Sequence, residues 1–322
     1  MGEAAGSAYG KKEMVRTTNT QLGITLRILS HNRRKFLEQA LESAFSQTEP
    51  FDHVEVYDNG SEFPLEDLRS RFPSLRLCGL PRAVPAAANI RRAFMERPPT
   101  TWLCVFHDDD LLLPHFHATM KSALYLHPAA GAVSCNGKVI NDQGLENGIL
   151  LPNLKKDLLL DGALDFARWY CEGYVPFPAT VYRWSPNFGV DLDFASSFGR
   201  CCDVAFLSCV VQREPILVLA SECFSYRRHD RQDSFGFLWW EETKRWELQV
   251  GLCAEDSPTQ RYVVKKRNQR LTSRWLNAWL KGEPLEEPWR WDRASLSALH
   301  RFARSNRLAL LRRLLLPSPP KK

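Results

Sequence analysis

The chain has 322 residues, 44% hydrophobic and 25% charged, with a formal net charge of +6. This composition marks a globular protein long enough to bury a sizeable core as one large α/β domain or two ordinary ones. No stretch approaches the run of about 18 apolar residues that a membrane span needs, and the modest positive charge speaks to solubility and surface affinity, not to nucleic acid.

The opening "MGEAAGSAYGKKEMVRTTNTQ" has neither an apolar segment nor a cleavage site, so residues 1–20 read as a disordered lead-in and not as a secretory signal. "GITLRILSHN" then reads as a buried strand running into a loop at Ser30, His31 and Asn32. "RKFLEQALESAFSQ" carries apolar residues at 36, 37, 40, 41, 44 and 45, the spacing of an amphipathic helix. "HVEVYDNGS" follows as a short strand and turn, completing a strand–helix–strand unit whose crossover makes the strands parallel.

The pattern repeats through a helix at "PLEDLRSRF", a strand at "LRLCGL", a helix at "AVPAAANIRRAFMER" and a strand at "TWLCVFH" that stops at Asp108. A helix at "HFHATMKSALYLHP" and a strand at "GAVSCNGKVI" come next. Residues 141–200 are less regular: a turn at "NDQGLENG", a helix at "ALDFARWYCEGY" and a short strand at "FPATVYRW". "RCCDVAFLSCVVQR" reads as a helix and "PILVLASECFSYRRH" as a strand and its exit. From about residue 236 the chain is mostly helical, with a Pro-broken linker at "LKGEPLEEPWRW" and a basic amphipathic helix at "ASLSALHRFARSNRLALLRRLLL". That last segment suits an anionic membrane surface or packing on the protein's own core.

In an open parallel sheet, ligands gather beyond the carboxyl ends of the strands. Three polar clusters fall at such ends: Ser30-His31-Asn32, Asp58-Asn59-Gly60-Ser61 and His107 to Asp110. Adjacent carboxylates at the tip of a buried strand need compensation. A hard divalent ion such as Mg2+ or Mn2+ supplies it, and so does the start of a following helix. One Asp suffices as a cap, so three in a row favour metal. Asp58 reads as a turn former or a ligand-binding group, and Asp203 as a position near a helix start. His115 and His117, two apart on a helix, face different sides and cannot easily share an ion. His229, among Arg and Asp in "YRRHDRQDS", suits phosphate or metal. The nine cysteines form no CxxC pair and mostly sit in apolar runs, as buried thiols of a cytosolic protein do.

"GITLRILSHNRRKFLEQALESAFSQTEPFDHVEVYDNGS" resembles the opening of family 2 glycosyltransferases, inverting enzymes of the GT-A fold. "AAANIRRAF" resembles their Asn-containing helix start, "WLCVFHDDDLLLP" their DxD-type metal motif, "GRCCDVAFL" the segment of their catalytic base and "YRRHDRQDS" the loop that closes their core. The resemblance spans about residues 22–235. It implies that Asp58 holds the nucleotide base, with Ser30 and Asn32 lining the same pocket and Asn89 nearby. Asp109 would be the principal Mn2+ or Mg2+ ligand, Asp108 would reach toward ribose or phosphates, Asp110 would support the site and His229 would close over the diphosphate. Asp203 would be the general base. One departure is visible: His107 stands where many members have Asp.

The expected fold class is therefore α/β, a Rossmann-like GT-A domain at residues 21–235 whose mixed, mainly parallel sheet is flanked by helices. A helical, basic C-terminal extension occupies residues 236–322. The expected function is transfer of a sugar from a nucleotide-sugar, chiefly a UDP-sugar, to an acceptor hydroxyl of a polysaccharide, glycolipid or glycoprotein. The rivals are nucleotidyl transfer, which would want a Gly-rich phosphate loop absent from "SHNRRKF", and a non-catalytic sugar-nucleotide-binding scaffold. The expected setting is cytoplasmic, with peripheral membrane or partner contact through the C-terminal basic helix.

Overall fold

A computed structural model describes residues 22–229 and 238–281, together with residues 299 and 303. The lead-in, the Pro-broken linker and nearly all of the C-terminal amphipathic segment lie outside the described residues.

The first half alternates as its periodicity predicts: β1 (Ile24–Ser30), α1 (Arg34–Phe45), β2 (His53–Asp58), α2 (Leu68–Arg71), β3 (Arg76–Leu77), α3 (Ala86–Met95) and β4 (Trp102–His107). A two-residue strand β5 (Leu111–Leu112) leads to α4 (Phe116–Leu126), β6 (Ala132–Ile140), β7 (Glu146–Ile149) and β8 (Leu158–Leu160). Then come α5 (Ala163–Trp169), β9 (Thr180–Arg183), α6 (Phe188–Ser196), α7 (Cys202–Arg213), β10 (Ile216–Arg227), α8 (Trp239–Gly251) and α9 (Pro258–Lys281). The helix expected at "PLEDLRSRF" is a single turn, and α6 is an addition to the elements expected from sequence.

The described strands join one sheet in the order β3-β2-β1-β4-β9-β6-β10-β5, with β7 beside β6 and β8 beside β10. The long ladders, β1 with β2 and β4 and β6 with β10, are parallel, while β9 runs antiparallel between β4 and β6. Because successive side chains on a strand point to opposite faces, β1 feeds two cores. Ile24, Leu26 and Ile28 join one built with α1, α2 and α4; Leu103, Val105 and Tyr57 of the neighbouring strands join the other, with α3, α5, α6 and α7. A third, smaller cluster of Ala167, Trp246, Val263 and Leu271 seats α8 and α9 against α5. No helix among the described residues is long and apolar enough to cross a membrane.

Two charges sit inside this sandwich. Arg27 and Glu55 face each other across β1 and β2 in register, 0% and 2% exposed, with Nε to Oε2 at 2.7 Å. The Arg27 guanidinium also donates to the Ala93 carbonyl at 2.6 Å and lies 5.0 Å from the Tyr57 ring centre. Arg76 holds the other Glu55 oxygen at 2.8 Å and reaches Glu96, which accepts the Tyr57 hydroxyl at 2.6 Å. Burial and that hydrogen bond push the Tyr57 phenol far up, so it remains a donor. The network ties α3 to the edge of the parallel sheet. Removing one partner of a buried ion pair strands the other charge, so Glu55→Ala should lower stability by about 3–5 kcal/mol, read as a fall in the urea midpoint.

Candidate active site

The parallel register determines which loops meet. Ser30 pairs with Asp58, and Leu29 with His107, so β1, β2 and β4 end at one level. The chain continues across that level by backbone hydrogen bonds: Asn59 N–H donates to the Ser30 carbonyl at 2.8 Å and Asp108 N–H to the Leu29 carbonyl at 3.2 Å. All three polar clusters expected at strand ends therefore adjoin one another.

Each loop is held by its own chemistry. Asp58, 5% exposed, accepts both the backbone N–H and the hydroxyl of Ser61, closing a tight turn. Gly60 in that turn has φ +67°, and a Cβ there would lie 2.5 Å from the Arg82 carbonyl carbon, so no side chain fits. Asn32, at φ +53°, takes the left-handed conformation that Asn tolerates. Its backbone N–H donates to the Ser61 hydroxyl and its side-chain oxygen accepts from Glu62 N–H, both at 2.9 Å, stitching the first loop to the second. Asn89 lies behind this corner with both ends of its amide engaged: it donates to the Tyr57 carbonyl at 3.1 Å and accepts from Arg92 at 2.9 Å. It tethers α3 to the end of β2.

The three aspartates are buried, at 3%, 7% and 0% exposure for Asp108, Asp109 and Asp110. Compensation comes from three residues. Arg33, in the loop before α1, donates to Asp109 at 2.7 Å and to Asp108 at 3.2 Å. His229, just past β10, bonds the same Asp109 oxygen at 3.0 Å, with its ring 5.8 Å from that of Phe36. Arg227, 1% exposed, gives its backbone N–H to Asp110 at 2.9 Å and its Nε to the Asp109 carbonyl at 2.8 Å. The remaining Arg227 nitrogens bind the Asn141 and Asp142 carbonyls and Gln39, so one guanidinium fastens the aspartate loop, α1 and the exit of β6 together.

The carboxylates divide in character. Burial pushes Asp108 up to about 7, with Arg33 opposing and the Asp109 charge adding to the rise. The Ser30 hydroxyl lies beside Asp108 but closes no hydrogen bond of normal geometry. Asp110 is driven well above the carboxylate range by burial and by the Asp109 charge. Burial pulls Asp109 upward too, but His107, His229 and Arg33 outweigh it and hold Asp109 below its ordinary value.

One set of side chains here suits a cation. Ligand atoms of His107, Asp109 and Asp110 lie within 4.8 Å of one another. The backbone explains the membership: β4 ends at His107, and Asp108 and Asp109 turn the chain immediately after it. A turn closed by Asp110 N–H on the His107 carbonyl at 3.5 Å brings Asp110 back toward His107. The buried Asp110 Oδ2 has no hydrogen-bond partner among the described residues, as expected of an oxygen meant for a cation. The donor set fits a divalent ion, and the buried Oδ2 of the adjacent Asp108 is likewise without a hydrogen-bond partner among the described residues. His115 and His117 take no part: His115 Nε2 meets the Glu222 carbonyl at 3.1 Å and His117 Nδ1 the Glu49 carbonyl at 2.9 Å.

Asp203 occupies the first turn of α7, half-buried. Burial lifts it to about 6, against the pull of the Val204 N–H and of Arg245 on α8. The Tyr174 phenol is raised by burial first, then by Tyr226, and feels the charges of both Asp110 and Asp203. Sequence reading passed over Arg33, Arg227, Tyr174 and Arg245. Arg33 sits in the quoted strand-end loop and Arg227 in the strand exit, but their partners are 76 and 118 positions away.

Residues 25–165 match the family model described as Glycosyl transferase family 2. The motif resemblance is borne out. This family 2 segment holds Ser30, Asn32, Asp58, Asn89 and the aspartate triplet, and it ends before Asp203 and His229. No curated protein sequence matches the chain. Among solved structures, residues 1–349 of S. aureus TarS in complex with UDP-GlcNAc align with a TM-score of 0.56 at 14% identity, covering 88% of this chain and 81% of that one. The UDP complex of the same TarS fragment gives a TM-score of 0.55 at 14% identity, covering 91% and 87%. At that identity the likeness is one of fold, and it bears out the mainly parallel sheet flanked by helices.

Arg227 organises this corner through a planar fork that a lysine cannot reproduce. Arg227→Lys should lower unfolding free energy by about 2–4 kcal/mol in chemical denaturation.

Proposed function

We propose that this chain transfers a sugar from a nucleotide-sugar, a UDP-sugar, to an acceptor hydroxyl with inversion at the anomeric carbon. The observation that carries this reading is the meeting, at the ends of three parallel strands, of Asp58, Arg33 and the His107-Asp109-Asp110 set. The family 2 match covers all of these residues, and a TarS structure of the same fold has UDP-GlcNAc bound.

The roles follow from the chemistry. Asp58, with Ser30 and Asn32 beside it, holds the nucleotide base by accepting from it. Asp108 reaches the ribose or the phosphates, and Arg33 and His229 present positive or donor groups to the diphosphate. A divalent ion, when bound by His107, Asp109 and Asp110, offsets the charge on the leaving diphosphate. Asp203 takes the proton of the acceptor hydroxyl as its oxygen bonds to the anomeric carbon and the bond to the diphosphate breaks. A single displacement of this kind inverts the centre. The acceptor is a hydroxyl of a polysaccharide, glycolipid or glycoprotein, and α8, which places Arg245 near Asp203, forms part of the acceptor side.

Two measurements test this. With Mn2+ and a panel of UDP-sugars, the protein should release UDP, and Asp203→Asn should reduce release by at least about 100-fold; equal rates in the variant would remove Asp203 from the chemistry. The pH profile carries a sign. The base must be deprotonated and its carboxyl is pushed up to about 6, so kcat/KM should fall about tenfold per unit below that point and level off above it. Arg245→Met removes a cation that favours the carboxylate, and should move the acid limb to higher pH.

A further inference from the structure

Side chains at the strand-end corner differ in kind as well as in charge. Asp109 and Asp110 offer oxygen, whereas His107 offers an imidazole nitrogen, and the three ligand atoms fall within 4.8 Å of one another. β4 ends at His107, and the tight turn through Asp108 and Asp109 brings ligand atoms of Asp109 and Asp110 back beside the His107 ring. The His107 ring lies 6.4 Å from the ring of Phe177, which gives that side of the corner an apolar wall. His229 bonds Asp109 Oδ2 at 3.0 Å, so it would serve as an outer partner that orients a ligating carboxylate.

A mixed nitrogen and oxygen set discriminates among divalent ions. Mg2+ is a hard ion that dehydrates reluctantly and favours oxygen ligands, whereas imidazole suits later first-row ions such as Fe2+, Ni2+ and Zn2+ best and Mn2+, the weakest binder of that series, still accepts it. An all-aspartate corner would accept either class. We propose that His107 is a direct metal ligand and a selectivity residue, which makes the corner specific for a first-row transition ion such as Mn2+ over Mg2+. The assignment deepens the glycosyl-transfer reading and rests on it only for what the ion is used for.

The test uses full-length protein without nucleotide, in an amine-free buffer. Mn2+ binding is followed by electron paramagnetic resonance, and its ligands by electron spin echo modulation from 14N. The wild type should show nitrogen coupling to Mn2+, and Mg2+ should displace the ion only in about tenfold or greater excess. His107→Asp should abolish the coupling and narrow the Mn2+ to Mg2+ preference toward unity; His107→Gln, closer in volume, serves the same purpose should the aspartate variant fail to fold. His229→Asn should keep the coupling while weakening binding by about 10–100-fold. Absence of nitrogen coupling in the wild type, its survival in folded His107 variants, or Mg2+ competing as an equal would each overturn the assignment. Nitrogen-coupled Mn2+ in a protein that cleaves no UDP-sugar would leave it standing and remove the glycosyl-transfer reading instead.

Discussion

Burying three consecutive carboxylates at the tip of β4 is the constraint from which the rest of the site follows. Asp108, Asp109 and Asp110 are all at or below 7% exposure, where uncompensated charge is strongly unfavourable. Compensation is assembled from distant chain: Arg33 before α1, and Arg227 and His229 at the end of β10. These contacts bind the ends of β1 and β10, the first and last described strands in chain order, to the aspartate loop. The site and the joining of these strand ends are consequently one structure, and a change at Arg227 acts on both.

The buried Arg27–Glu55 pair makes a comparable demand in the middle of the parallel sheet. Its further hydrogen bonds go to Arg76 and to the backbone carbonyls of Ala93 in α3 and Glu96 just past it, while Arg27 Nη2 is left without a partner among the described residues. Its consequence for the site is indirect. By fixing α3 against β1 and β2, it sets the position of Asn89 and Arg92, which grip the last turn of β2 beside Asp58.

Much of this was legible in the order of residues. The alternation of strand and helix up to Asp108 fixes parallel neighbours, and that alone puts Ser30, Asp58 and the aspartates at one end of the sheet. Local pattern could not supply the partners. Arg27 within "GITLRILS" looks like an interruption of a buried strand until Glu55 stands opposite it in register. The metal set shows the same limit. Three aspartates in a row suggest a metal site of their own, but nothing in the local pattern shows that the turn after β4 brings a His107 ring nitrogen within 4.8 Å of carboxylate oxygens of Asp109 and Asp110. The helix at 188–196 escaped notice because "FGVDLDFAS" mixes apolar and acidic residues without a clear period, and Arg213 is what settles Asp191 in the fold.

The central claim is that the strand-end corner binds a nucleoside diphosphate together with a divalent ion. Calorimetric titration of UDP into the full-length protein, with Mn2+ and without any divalent ion, tests it most directly, with Asp109→Asn as the comparison. The account predicts measurable UDP binding with Mn2+, marked weakening without it, and loss of the Mn2+ effect in Asp109→Asn. UDP binding that is as tight without metal, or that keeps its metal dependence in the variant, would contradict it.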